Sequence, residues 1–80
     1  MRLRADLSFY PLAADYKPPI KDLISRLEAR REIEVSRNDL STQIAGAYDE
    51  VMRAVAEETK TSFETNQGVL VAKFVCAGGE

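Results

Sequence analysis

An α+β fold with elements in the order βαββαβ is what this chain predicts, on three observations. Four short stretches alternate apolar and polar residues with period two, and two longer ones space their apolar residues at i, i+3, i+4 and i+7. Turn-forming residues separate the two middle strands by too little chain for a crossover, so those strands form a hairpin.

Leu3, Ala5, Leu7 and Phe9 alternate with Arg2, Arg4, Asp6 and Ser8, a strand with one face in a core, and Pro11 closes it. Pro18 and Pro19 suit the first turn of a helix, where their missing N–H groups would have no partner anyway. Ile20, Leu23, Ile24 and Leu27 then mark the buried stripe of a helix running to about Arg30, with Lys21, Asp22, Arg26 and Glu28 outward. Glu32 to Ser36 alternates again around Ile33 and Val35, and Arg37, Asn38 and Asp39 make the turn. In the third strand Leu40, Thr42 and Ile44 share one side and Ser41, Gln43 and Ala45 the other, before the chain passes through Gly46 into a second helix. That helix carries Asp49 and Glu50 in its first turn, a favourable place for negative charge, packs Tyr48, Val51, Met52 and Val55, and ends near Phe63. Asn66, Gln67 and Gly68 turn the chain into a last strand from Val69 to Val75.

Right-handed crossovers from the first and third strands put both helices on one face of a four-stranded antiparallel sheet in strand order 4-1-3-2, the ferredoxin-like arrangement. The expected core is Leu3, Ala5, Leu7, Phe9, Ile33, Val35, Leu40, Ile44, Leu70, Ala72 and Phe74.

The 80 residues, 45% hydrophobic and 30% charged, allow a single domain spanning 1–80 with one core. A domain this small buries only about 60–65% of the surface its unfolded chain exposes, so it gains from a staple or a partner. Cys76 is the sole cysteine and there is no histidine, which excludes an intrachain disulfide and a thiolate zinc cluster and leaves self-association as the expected support. A net charge of −2 offers no concentrated positive field for nucleic acid. No apolar run approaches the roughly 20 residues of a membrane span, and MRLRADLSFY lacks the apolar block of a secretory leader, so a cytoplasmic location is expected.

The sheet face without helices would carry Arg4, Asp6, Ser8, Tyr10, Ser41, Gln43, Ala45, Val69, Val71, Lys73 and Val75, a mixture of valines, hydroxyls and an amide around a few charges. Three readings fit it: a solvated sheet face, a subunit interface, and a small-molecule pocket at that face or its rim. For catalysis the sequence offers little. No histidine is present to move protons near neutral pH, no glycine-rich phosphate loop follows a strand, and Cys76 has no activating base and reads as a small apolar residue ending a strand. Glu57, Glu58 and Glu64 read as solvated helix face, and no clustered spacing points to a metal or other cofactor. Ser41 and Thr42 stand out as hydroxyls in a central strand, although local backbone can satisfy such groups.

DLSFYPLA at 6–13, LSTQIAGAYDEVMRAV at 40–55 and GVLVAKFV at 68–75 together resemble the thiamine-binding YkoF-type family of short ferredoxin-like domains. That family shows a strand ending in Tyr-Pro, then a Ser-Thr strand leading through Gly into a helix of the form Gly-x-Tyr/Phe-Asp/Glu-x-Val-Met, with small residues after the last strand that Cys76 and the Ala-Gly-Gly-Glu at 77–80 echo. The resemblance implies a non-enzymatic cytoplasmic protein that binds thiamine or its hydroxymethylpyrimidine part and assembles as a dimer or tetramer through its sheets. It implies Ser8, Tyr10, Asn38, Ser41 and Thr42 as ligand-binding residues, with Ser41 or Thr42 hydrogen-bonding the pyrimidine edge, Tyr10 supplying apolar contact and Asn38 at the rim. The alternative is a structural or regulatory oligomerisation module that takes no small ligand.

Overall fold

The computed structural model describes residues 1–76, so the tail read at 77–80 lies outside the described residues. The elements are β1 (Arg2–Pro11), α1 (Lys17–Glu28), β2 (Ile33–Arg37), β3 (Thr42–Ala47), α2 (Tyr48–Thr65) and β4 (Gly68–Val75). The four strands form one antiparallel sheet in the order β2-β3-β1-β4, the expected 4-1-3-2 read from the other edge, and the fold is ferredoxin-like.

Strand β1 is the centre of the sheet. It pairs with β3 from Arg2↔Ala47 to Leu7↔Thr42 and with β4 from Arg4↔Val75 to Pro11↔Gly68, both without a register slip. Its inward residues Leu3, Ala5, Leu7 and Phe9 are all buried, and with Leu23, Leu27, Ile33, Ile44, Val51 and Ala54 they make the core. The Phe9 and Phe63 rings meet at 6.1 Å between centroids with planes tilted by 60°, a favourable edge-on contact between β1 and α2. Helix α2 follows β3 without a loop, and its first amide, that of Tyr48, donates to the Met1 carbonyl at 2.9 Å, which fixes the helix start to the start of β1.

Two residues expected in the sheet core stand outside, as do Tyr48 and Met52 of the α2 stripe expected to pack, 44% and 37% exposed. Leu40 is 88% exposed because residues 38–41 are used up in the β2–β3 turn and β3 begins only at Thr42. Phe74 is 44% exposed because β4 is an edge strand: α1 packs over β1 and β2 and α2 over β1 and β3, so Leu70 and Ala72 are only partly covered and Phe74 less so. Cys76 follows β4 and is exposed. Helix α1 closes at Glu28 rather than about Arg30, with the Arg30 amide donating to the Leu27 carbonyl at 3.0 Å in a tightened last turn, and α2 runs on to Thr65.

Arg26 and Glu58 also depart from the outward positions expected for them. The Glu58 carboxylate, with a side chain only 12% exposed, accepts from Arg26 Nε at 2.8 Å and from Arg30 Nε at 2.9 Å. Arg30 additionally pairs with Glu57 and stands 3.5 Å from Glu32. Arg26 reaches the Ser62 hydroxyl and the Glu58 carbonyl, so the buried serine on α2 has its partner. This cluster ties α1 to α2 in one relative position through charge-assisted hydrogen bonds. The hydrogen bond from Arg30 to Glu57 raises the arginine's pKa above its ordinary value, against a smaller opposing effect of burial. A raised folded-state value adds stability that is present at every pH below the ordinary arginine range and is lost only in strong base.

Gly68 marks the closest approach of β4 to the far end of β1. A Cβ there would lie 2.8 Å from the Tyr10 carbonyl oxygen and 2.9 Å from Phe9 Cε1. Gly68→Ala is therefore expected to push the Phe9–Pro11 end of β1 aside and to cost about 1–3 kcal/mol, the usual size of an overpacking penalty. Urea denaturation checks this, and an unchanged midpoint would mean that the two strands part there without strain.

Candidate functional site

β1 is longer than its neighbour. The β1–β3 ladder stops at Leu7↔Thr42, while β1 continues to Pro11. Beyond that point Ser8 to Pro11 run with β4 on one side and open space on the other. Helix α1 roofs this space, the β2–β3 turn bounds it, and the result is a cleft of about 370 Å³, within the range of small-ligand sites.

The floor and roof are apolar: Leu7 and Phe9 from β1 and Ile20, Leu23 and Ile24 from α1. Pro11, Ala13 and Leu40 add apolar surface around them. The polar lining consists of Ser8, Tyr10, Tyr16, Asn38, Asp39, Ser41 and Thr42. All five residues singled out in the sequence thus line one cleft, although they come from two separate segments. The cleft lies at the end of the sheet on the helix side, so of the positions considered for a pocket it is the rim, and not the open face, that is hollow. Gln43, on that face, does not line it.

Each side chain is placed by a local cause. Thr42 opens β3 on its inward face and is 7% exposed, and Ser8 and Ser41 are half-buried at the edge. Among the described residues, no hydrogen bond within the chain occupies the hydroxyls of these three. Asn38, which lines the cleft as expected of a rim residue, also closes the turn. Its Oδ1 accepts from the Leu40 amide at 2.7 Å and the Ser41 amide at 2.9 Å, and its own amide donates to the Ser41 carbonyl at 3.0 Å. This Asx-type closure uses the oxygen and leaves only the amide nitrogen of the side chain to face a ligand. Tyr10 and Tyr16 are 56% and 51% exposed, two rings at the mouth.

Tyr16, Asp39, Leu40 and the α1 residues were not picked out as site residues by sequence reasoning. Leu40 carried a signal for its position, since a residue two past an asparagine in a short hairpin belongs to the turn. The α1 residues carried none, because a helix stripe reads as core whether or not a hollow lies beneath one end of it.

The lining has one carboxylate, Asp39, and no lysine or arginine. Among the described residues, no group of three or more histidine, cysteine, aspartate or glutamate side chains is placed to hold a metal ion. Among the described residues, no helix is long and apolar enough to cross a membrane.

No family model matches the sequence, and neither does any curated protein. Solved structures do. A protein from Streptococcus pneumoniae superposes with a TM-score of 0.89 at 20% identity, over 98% of this chain and 89% of that one. A candidate thiamine biosynthesis/salvage protein from Thermotoga maritima gives 0.85 at 18% identity, over 100% and 89% of the two chains. A hypothetical protein from Methanocaldococcus jannascii gives 0.84 at 22% identity, over 99% and 84%. At these identities the likeness is one of fold.

Asn38→Ala removes the acceptor of two turn amides and is expected to cost about 0.5–2 kcal/mol, as loss of a comparable capping side chain does. Amide hydrogen exchange should show Leu40 and Ser41 losing protection while Ile44 keeps it. Equal protection at Leu40 before and after the substitution would show that the turn does not depend on the side chain.

Proposed function

We propose that this protein is a non-enzymatic cytoplasmic binding protein for thiamine or its hydroxymethylpyrimidine part, of the YkoF-like kind, and that it works as an oligomer. The observation that carries the proposal is the convergence of Ser8, Tyr10, Asn38, Ser41 and Thr42 on one cleft with an apolar floor. An aminopyrimidine offers donors and acceptors on its edge, which the free hydroxyls of Ser8, Ser41 and Thr42 can match, and flat faces that suit Leu7, Phe9 and Ile24. A thiazolium cation at the mouth would meet the Tyr10 and Tyr16 rings and the Asp39 carboxylate. The likeness in fold to the Thermotoga maritima protein supports the same reading.

Binding fits this lining better than catalysis. The groups present orient a ligand by hydrogen bonds, and no histidine exists in the chain to shuttle a proton near neutral pH.

Self-association is supported by the face opposite the helices. Val69, Val71 and Val75 are 51%, 41% and 48% exposed there. In the middle of the same face Asp6 Oδ1 is buried without a hydrogen-bond partner, beside its register neighbours Gln43 and Lys73. An unpartnered buried carboxylate oxygen beside a row of half-exposed valines is better accounted for by a surface that a second copy completes than by a solvated one. Assembly without any ligand is the second reading, favoured by that observation alone.

The paired substitution Ser41→Val with Thr42→Ala should reduce affinity for thiamine and for hydroxymethylpyrimidine by about tenfold or more in titration calorimetry, since each lost hydrogen bond is worth about 1 kcal/mol. Light scattering should find the same oligomer in both proteins. Unchanged affinity would refute the site, and absence of binding to the unsubstituted protein would leave assembly as the better reading.

A further inference from the structure

We infer that the backbone of Phe9 is itself a recognition element of the cleft, an open rung of the sheet that a planar ligand fills with a donor and an acceptor on one edge. The inference rests on the reading of the cleft as a ligand site and adds to it which ligand edge is read and by what.

Two backbone bonds set the direction in which each residue of β1 points. The Met1 carbonyl accepts from Tyr48 on the β3 side, and the Leu12 amide donates to the Gln67 carbonyl on the β4 side. Between them both ladders keep a constant register. In an antiparallel strand the N–H and C=O of one residue point to the same neighbour and alternate along the chain. Odd-numbered residues of β1 therefore address β3 and even-numbered ones β4. Leu3, Ala5 and Leu7 have their β3 partners in Gly46, Ile44 and Thr42. Phe9 is next, and the ladder has ended.

The residue that continued register would set opposite Phe9 is Leu40, and its amide is already committed to Asn38 Oδ1 at 2.7 Å. The Ser41 amide and carbonyl are committed to Asn38 as well. The Leu40 amide is thus turned away from Phe9, and the paired exchange of two bonds that closes the rungs at Leu3, Ala5 and Leu7 is not made at Phe9. Phe9 is nonetheless only 7% exposed and lines the cleft. A backbone N–H and C=O beside the cleft that no strand pairs take their partner from outside the chain, from water when the cleft is empty and from a ligand when it is filled.

The chemistry of that partner follows from the edge. Phe9 presents one donor and one acceptor side by side in the plane of the sheet. The next residue addressing the same side is Pro11, which has a carbonyl and no N–H. A peptide strand added here would find one complete rung and then a missing donor, so the edge suits a small molecule better than strand addition. A ring nitrogen or a carbonyl oxygen accepting from the Phe9 N–H, with an adjacent amino group donating to the Phe9 carbonyl, satisfies both, as a 4-aminopyrimidine or a primary amide does. The ring would then lie as a short continuation of β3, with one face toward Ile20, Leu23 and Ile24.

Amide hydrogen exchange by NMR on the intact protein tests this in two stages. In the free protein the Phe9 amide should exchange about a hundredfold or more faster than those of Ala5 and Leu7 in the same strand, as an open rung does beside closed ones. Protection of Phe9 equal to that of Leu7 would overturn the inference whatever the ligand proves to be. In the second stage, 4-amino-5-hydroxymethyl-2-methylpyrimidine should slow Phe9 exchange, and its 4-methyl analogue, which lacks the amino donor, should bind at least about tenfold more weakly. Binding that leaves the Phe9 amide unaltered would also overturn it. Should the aminopyrimidine not bind, the thiamine reading fails by itself, and benzamide, whose carboxamide offers an acceptor beside a donor, then decides the inference. Protection of Phe9 by benzamide at millimolar concentration upholds the rung, and no effect rejects it.

Discussion

β1 has ten residues in strand and β3 has six, and most of what is distinctive in this molecule follows from that inequality. A central strand normally has both edges paired over its whole length. Here one edge of β1 is paired to its end by β4, and the other is abandoned after Leu7 because the β2–β3 chain turns back at Asn38. The asparagine carboxamide closes the turn by accepting from two amides, one of which, that of Leu40, is the amide that continued register would have offered to β1. The cleft is the space that the missing rungs would have filled, roofed by α1, whose apolar stripe continues past the end of β3. Its polar lining is thus a consequence of strand ends and a turn, while its floor is ordinary core.

The same inequality explains how far the sequence could be read. Period-two alternation identifies β1 and the inward row Leu3 to Phe9, because parity along a strand is independent of its neighbours. The parity of Leu40 with Thr42 and Ile44 is equally good, yet Leu40 lies in the turn, since where a hairpin reverses depends on a side-chain hydrogen bond that parity does not encode. Phe74 failed for a different reason. Its parity is right for the core, but an edge strand beyond both helices has no second layer to bury it. Glu58 and Arg26 occupy positions on their own helices that read as outward, and only the packing of α1 on α2 turns them toward each other. Ser8, Tyr10, Asn38, Ser41 and Thr42 were legible as a group through the Ser-Thr and Tyr-Pro motifs, and their convergence from two segments is a fact of register.

The chain also divides its stabilising work between two layers with different means. Between the helices, Arg26 and Arg30 bracket the Glu58 carboxylate, and Arg30 adds Glu57, so the buried charge is shared over several hydrogen bonds rather than left as one isolated pair. On the open side of the sheet the arrangement is less complete. Arg2 pairs with Glu34 across β3, but the central Asp6 has an oxygen with no partner and the β4 valines are half-exposed. The helix face is therefore finished within one chain, and the sheet face is the one where a second copy would add most.

These two surfaces meet at one place. Ser8 and Tyr10 belong by parity to the open face, in register with Val71 and Val69, and yet both line the cleft. This is possible only because β1 has a free edge there, so that residues of the open face also border the space beside the strand. In the proposed oligomer, the valines next to Ser8 and Tyr10 would be covered while the cleft on the helix side stayed accessible past Tyr16 and Asp39. A ligand would enter between α1 and the turn, not through the sheet. Occupancy and assembly would then share β1 as a common wall, with Ser8 and Tyr10 at the border of both, so a ligand in the cleft and a second copy on the sheet would each be sensed by the same short stretch of strand.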